Sequence, residues 1–158
     1  MTKFELEDHY DVEDISSLPD VQDLMRYSFG RESGFVRVNP PGFVYPAGTV
    51  DYLDTIRKFE VRDDDIWICT FPKCGTTWTQ EMVWCLMNNL DFETSKSEDL
   101  DQRMIFMELK AIMKEVVSHF CPDTFKLAAE QPSPRIIKTH LPFMILPDQI
   151  KTGEKRPR

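Results

Sequence analysis

An α/β fold with a parallel sheet flanked by helices is the class this sequence predicts. Three observations predict it. Residues 66–71 and 135–139 are short apolar runs rich in β-formers, which suits strands buried on both faces. Two amphipathic stretches lie between them. The resulting order of strand, helix, helix, strand is that of a βαβ-like unit with parallel strands.

Residues 1–25 are acidic and weakly patterned. Residues 28–48 mix Gly, Pro and aromatics, which reads as an irregular but packed segment. Val50, Leu53, Ile56 and Phe59 recur every three residues, so a short helix is expected over residues 49–60. Asp63, Asp64 and Asp65 mark a turn before the first apolar run. Residues 76–90 read as a helix whose stripe is Met82, Val83, Leu86, Met87 and Leu90, extended by Trp78 and Cys85. Residues 91–102 are polar and read as a loop. A second helix is expected over residues 104–117, with Ile105, Leu109, Ile112, Met113 and Val116 on one face. Residues 120–134, with three Pro, read as a loop. His140, Leu141 and Pro142 stop the second strand, residues 146–150 suit one helical turn, and the last eight residues are polar.

Composition excludes several classes. At 158 residues and 41% hydrophobic, with eleven Phe and three Trp, the chain suits one domain with a packed core. A formal net charge of −8 argues against general nucleic-acid binding. The four cysteines, Cys69, Cys74, Cys85 and Cys121, form no C-x-x-C pair, and three His are present, so no metal site is expected. Thiols in apolar runs read as reduced, hence a cytoplasmic protein. The acidic amino terminus has no apolar core of a signal peptide, and no run of about 20 apolar residues spans a membrane.

Two stretches carry chemistry. After the first strand, Pro72-Lys73-Cys74-Gly75-Thr76-Thr77-Trp78 feeds a helix. Backbone N–H groups at a helix start lack helical partners and carry partial positive charge, so such a loop holds anions. Gly75 permits close approach, Thr76 and Thr77 add hydroxyl donors, Lys73 adds a full charge, and Trp78 offers a face for a base. A plain strand-to-helix turn capped by Thr explains the same residues. In the usual magnesium-nucleotide loop Lys follows the Gly; here it precedes Gly75 and no Walker-B Asp follows, which speaks against a kinase or hydrolase. The second strand ends in Lys138-Thr139-His140. Ligands bind beyond the carboxyl ends of parallel strands, so neighbouring strands would bring Lys73 and His140 to one crevice. There His140 could act as general base and Lys138 could neutralise developing charge. The alternative is a strand-end histidine without a role.

Thr70-Phe71-Pro72-Lys73-Cys74-Gly75-Thr76-Thr77-Trp78 resembles the T-Y-P-K-S-G-T-T-W loop of cytosolic sulfotransferases, and residues 138–142 resemble that family's K-T-H-L-P motif. Residues 62–67 and 80–84 are also similar, and the likeness runs from about residue 40 to 150. It implies a leading acidic segment, residues 1–39, before the first part of a sulfotransferase domain, residues 40–158. It implies the co-substrate 3′-phosphoadenosine 5′-phosphosulfate (PAPS), cradled by residues 73–78 with Trp78 against adenine, and no metal ion. His140 would take a proton from a hydroxyl or amine of a small acceptor such as a phenol or steroid, with Lys73 and Lys138 stabilising charge. Lys138, Thr139 and His140 would meet the acceptor, and Phe106 and Leu109 fall where the family has apolar pocket residues; helix packing is their alternative.

Cys74 stands where the family has Ser, and a thiol is the weaker donor. Full-length members are nearly twice as long. The expected Arg and Ser for the 3′-phosphate and the C-terminal dimer motif find no counterpart here, so the fold is expected to be incomplete. A splice form or partial gene model is one expectation that follows. An inactive remnant that binds donor weakly, or acts through partners, is the alternative to an active enzyme.

Overall fold

A computed structural model describes residues 4–5, 10–25, 34–40, 42–113 and 122–158 of the chain. The first segment is more regular than its composition suggests. Strands β1 (Phe4–Glu5), β2 (Asp11–Asp14), β3 (Phe35–Asn39) and β4 (Phe43–Pro46) form an antiparallel sheet in that order, with helix α1 (Pro19–Met25) after β2. Val12, Val36 and Val38 are buried from it. The strands are only two to five residues long, and Pro and Gly interrupt them, which hides their alternation. A 3₁₀ turn (Ala47–Tyr52) leads into α2 (Leu53–Arg57), the short helix expected from the three-residue repeat.

The parallel sheet follows. Strand β5 (Ile66–Cys69) leads into α3 (Thr76–Met87), α4 (Phe92–Ser97) and α5 (Leu100–Arg103). Then come β6 (Ile105–Phe106), α6 (Leu109–Met113), α7 (Thr124–Glu130), β7 (Ile136–Thr139), a 3₁₀ turn (Phe143–Ile145) and α8 (Asp148–Lys151). The sheet order is β5-β7-β6, so β7 is the middle strand and pairs in parallel with both others. Ile137 joins the cluster that includes Val36, Ile56 and Ile145, while Ile136 joins Ile66, Ile68, Trp84 and Met104. Neighbouring residues of β7 therefore enter different cores, as a strand covered on both faces requires.

Four expectations change. Residues 104–106 are not helical: Ile105 pairs with Ile137, and Met107 N–H bonds to the Lys138 carbonyl at 3.0 Å. Two apolar residues in a ladder cannot be told from the start of a helical stripe by period. The helix expected there is α6; Val116 and Val117 lie outside the described residues. The polar stretch after α3 forms α4 and α5, and Asp91 caps α4 by accepting the Thr94 N–H at 3.0 Å. The loop expected over residues 120–134 contains α7, capped likewise by Asp123. Finally, α3 buries Thr76, Gln80, Trp84 and Cys85, not the stripe of Met82, Leu86 and Leu90, which is exposed. The two rows are two residues apart, about 200° around a helix. Trp84 decides the orientation, wedged under the Arg103 guanidinium 4.5 Å from its ring.

Asp65 and Arg135 precede β5 and β7 and are fully buried. Arg135 Nη2 and Nε donate to the Asp65 carboxylate at 2.6 and 2.7 Å. Remaining donors reach the carbonyls of Ala128 at 3.1 Å and Glu60 at 2.9 Å. On the outer side of β5, Arg158 N–H bonds to the Asp65 carbonyl and Trp67 N–H to the Arg158 carbonyl, both at 2.9 Å. Among the described residues no helix is long and apolar enough to cross a membrane.

Removing one partner of a buried pair strands the other charge, which costs about 3–5 kcal/mol. Arg135→Leu should lower the free energy of urea unfolding by that amount. The double variant Asp65→Leu with Arg135→Leu should lose clearly less than Arg135→Leu alone.

Candidate active site

The carboxyl ends of β5, β6 and β7 point the same way, and three loops meet there. The pairing of Cys69 with Thr139 puts Thr70 beside His140, and the Thr70 N–H bonds to the Thr139 carbonyl at 3.1 Å. The Thr70 carbonyl lies 2.8 Å from His140 Nδ1. A carbonyl oxygen only accepts, so Nδ1 carries the proton, and in the neutral ring the Nε2 lone pair is free to take one. The Thr70 hydroxyl lies 3.2 Å from the same nitrogen and 2.6 Å from the buried Thr76 hydroxyl. His140 is thus tied through Thr70 to the start of α3.

The loop between β5 and α3 turns through two left-handed residues, Lys73 at φ 64° and Gly75 at φ 93°. Lys73 pays for this as a non-glycine residue, and such strain clusters at working loops. Gly75 is the residue before the helix and no side chain caps it, so the cap expected from Thr is not formed. A Cβ on Gly75 would meet nothing within 4 Å; the positive φ, not crowding, is what suits glycine. The first helical bond there runs from Thr79 N–H to the Gly75 carbonyl at 3.1 Å. The N–H groups of Gly75, Thr76, Thr77 and Trp78 therefore have no partner within the helix, and the helix dipole favours an anion in front of them. Lys73, Cys74, Thr77 and Trp78 are exposed around this end, Trp78 by 78%. The Cys74 thiol donates to the Phe71 carbonyl at 2.7 Å, so it closes the turn.

Phe106, at the end of β6, stands between Lys138 of β7 and His140 just past it. Its ring meets His140 edge-on with centroids 5.3 Å apart, and Lys138 Nζ lies 4.1 Å from its centre. Lys138, His140 and Phe106 are therefore brought together. Thr139 points the other way: it is fully buried and its hydroxyl accepts the Leu141 N–H at 3.0 Å, which keeps it from a substrate. Leu109 is half-buried at the start of α6, and the residue of that helix facing the cavity beside His140 is Ile112. That cavity, about 480 Å³, is lined by Phe43, Val44, Tyr45, Pro46, Phe71, Pro72, Ile112 and His140, with Gly42. Its wall is mostly apolar, with the His140 imidazole on one side.

Three contributors were not singled out from the sequence. The β4 wall was hidden in a Pro-rich segment. Thr70 was read as part of a strand end. Glu108 was hidden in the apolar stretch Met104–Leu109, where one acid among apolar residues is itself a signal. It is fully buried, and its Oε1 accepts the His140 backbone N–H at 2.6 Å. Burial pushes its carboxyl up to about 7, against hydrogen bonds from His140 and Thr139 and the charge of Lys138, which lower it.

Residues 63–156 match the family described as Sulfotransferase domain. The chain is 39% identical over 121 residues to luciferin sulfotransferase of Photinus pyralis, covering 69% of this chain and 32% of that protein. It is 38% identical over 106 residues to human sulfotransferase 1C2, covering 67% of this chain and 33% of that protein. The chain spans about a third of the length of these curated relatives. Among solved structures, the fold is similar to retinol dehydratase in complex with retinol and PAP, with a TM-score of 0.74 at 21% identity, covering 99% of this chain and 51% of that one. A complex of retinol dehydratase with androsterone and PAP gives 0.75 at 20%, with the same coverage.

Two outcomes follow from this geometry. Gly75→Ala should lower stability by about 1–2 kcal/mol, because alanine resists the left-handed conformation; thermal unfolding checks it. The Glu108 carboxyl holds its proton up to about 7 when folded but releases it near 4.5 when unfolded. The stabilising effect of that proton is complete below 4.5 and lost as pH rises through about 7. At 1.36 kcal/mol per unit, the loss is about 3 kcal/mol. Urea unfolding of native protein and Glu108→Gln should therefore show the variant gaining, relative to native, between pH 4.5 and pH 8.

Proposed function

Because the chain belongs to the sulfotransferase family, through the match of its residues 63–156 to that domain, we propose that it takes part in sulfuryl transfer from PAPS to a hydroxyl, or amine, of a small acceptor such as a phenol or steroid. In this reading residues 40–158 supply the first part of that domain, after a leading segment of residues 1–39. The reaction belongs in the cytoplasm.

The observation that carries this reading is the hydrogen bond from His140 Nδ1 to the Thr70 carbonyl at the root of the anion loop. It sets a base with a free Nε2 between that loop and an apolar cavity. Sulfuryl transfer, like phosphoryl transfer, depends mainly on positioning and charge stabilisation. The unpartnered amides of Gly75 to Trp78 and the hydroxyl of Thr77 suit the phosphosulfate end of the donor, and the exposed Trp78 ring suits its adenine. The donor supplies the sulfuryl group. His140 Nε2 takes the proton of the attacking hydroxyl as its oxygen bonds to sulfur. Lys73 offsets charge that develops on the departing bridging oxygen, and Lys138 offsets charge on the transferring group. Phe106 holds Lys138 and His140 apart at a fixed spacing and offers the acceptor an apolar edge. The cavity bounded by β4 and Ile112 receives the acceptor body; the retinol and androsterone of the structural relatives are ligands of this apolar kind.

Transfer of labelled sulfate from PAPS to a panel of phenols and steroids tests the reading. The native chain should label an acceptor, and His140→Ala should lower kcat by about 10²–10⁴-fold, the range for loss of a general base. Lys73→Met should also slow transfer. Calorimetry with PAP runs beside the assay. Micromolar PAP binding without transfer would reduce the chain to a donor-binding module, and no binding at all would overturn the proposal.

A further inference from the structure

His140 lies just past the ordered ladder of β7. On one side the last rung is the Thr70 N–H to the Thr139 carbonyl; on the other it is the Met107 N–H to the Lys138 carbonyl. Beyond these the sheet offers no partner to the His140 N–H. That N–H is taken by Glu108 Oε1 at 2.6 Å. The ring is held by the Thr70 carbonyl, and the following residue by the Thr139 hydroxyl. Two separate groups thus hold His140 itself, and a third holds the residue after it.

Glu108 is a costly choice for this task. It is fully buried, and its Oε2 has no hydrogen-bond partner among the described residues. Burying a carboxyl with one oxygen unpaired destabilises a fold, and an apolar side chain of similar volume serves packing better. Packing therefore does not account for Glu108; its hydrogen bonding at the end of β7, the 2.6 Å bond from the His140 N–H first among it, does.

We propose that Glu108 is a positioning residue for His140, holding the main chain of the base so that Nε2 stays between the anion loop and the cavity. This rests on the reading of His140 as the proton acceptor. Glu108 itself touches neither donor nor acceptor. The groups that face it are Lys138, Thr139 and His140 from β7, Cys69 from β5 and Tyr45 from β4. Burial raises the Cys69 thiol and the Tyr45 phenol, with Glu108 adding to both, so neither shares its charge change near neutral pH. With its carboxyl held at about 7, Glu108 becomes charged in that range, and a charged acceptor makes the shorter and stronger bond.

The test combines kinetics with an NMR titration. Glu108→Met keeps volume and removes the acceptor, and it should lower kcat by about 10²-fold, the scale of a misplaced catalytic group, with KM for PAPS little changed. Glu108→Gln keeps an amide oxygen at the same position and should recover most of that loss. To separate the carboxyl from the imidazole, the residue-140 amide is followed in His140→Ala. Its proton resonance should move downfield through an inflection near pH 7, and the inflection should vanish when Glu108→Gln is added. A folded Glu108→Met that transfers as fast as native, or an amide titration unaffected by Glu108→Gln, would overturn the proposal. Should no version transfer sulfuryl, the native included, the reading of the reaction fails, and the amide titration alone still decides whether Glu108 grips residue 140.

Discussion

The buried pair of Asp65 and Arg135 is the constraint on which the arrangement depends. Both residues sit immediately before parallel strands, so their bidentate contact fixes where β5 and β7 begin relative to each other. The Ile66 N–H then bonds to the Arg135 carbonyl at 2.8 Å, and the ladder runs in register to Cys69 and Thr139. Side chains along a strand alternate with a period of two, so a slip of one residue would turn every one to the opposite face. Lys138 and His140 would then point into the core and Thr139 into the crevice. A buried ion pair is a poor source of net stability, because desolvation offsets most of its attraction. Its contribution here is the choice of one register among several.

That choice is transmitted to the other end of the sheet without any moving part. Five residues beyond the pair, Thr70 and His140 emerge side by side. The carbonyl of one sets the tautomer of the other, and the Thr70 hydroxyl reaches Thr76 in the first turn of α3. The loop before α3 and the His140 ring are therefore not two features that happen to be close. They are consecutive outlets of one paired ladder, with β6 adding Phe106 and Glu108 from the third outlet.

The parts legible in the sequence were those with a local signal. The strands at residues 66–69 and 136–139 show as β-branched runs, and the residues of the anion loop and of Lys138 and His140 stand at their ends. Other parts depend on partners far away in sequence. Ile105 and Phe106 form a strand only because Ile137 and Lys138 are beside them. The orientation of α3 is only partly legible: of the expected stripe Val83 and Cys85 pack with Trp84 beside Ile66, Ile68 and Ile136, whereas Met82, Leu86, Met87 and Leu90 face out. Thr139 was grouped with its neighbours in a motif, while strand alternation separates it from them. Glu108 gave a signal that periodicity cannot interpret, since a lone acid in an apolar stretch suits the wet side of a helix as well as a buried bond to a backbone amide.

The contact of Arg158 with the outer side of β5 has a consequence for association between molecules. An open strand edge is a template on which another chain can add a strand. The Arg158 backbone occupies the N–H of Trp67 and the carbonyl of Asp65, the two groups that would begin such pairing along this edge. Any chain adding there, whether another copy or a strand of different origin, must first displace it. While the Arg158 backbone lies there, these two groups at the edge of β5 are not open to a second strand.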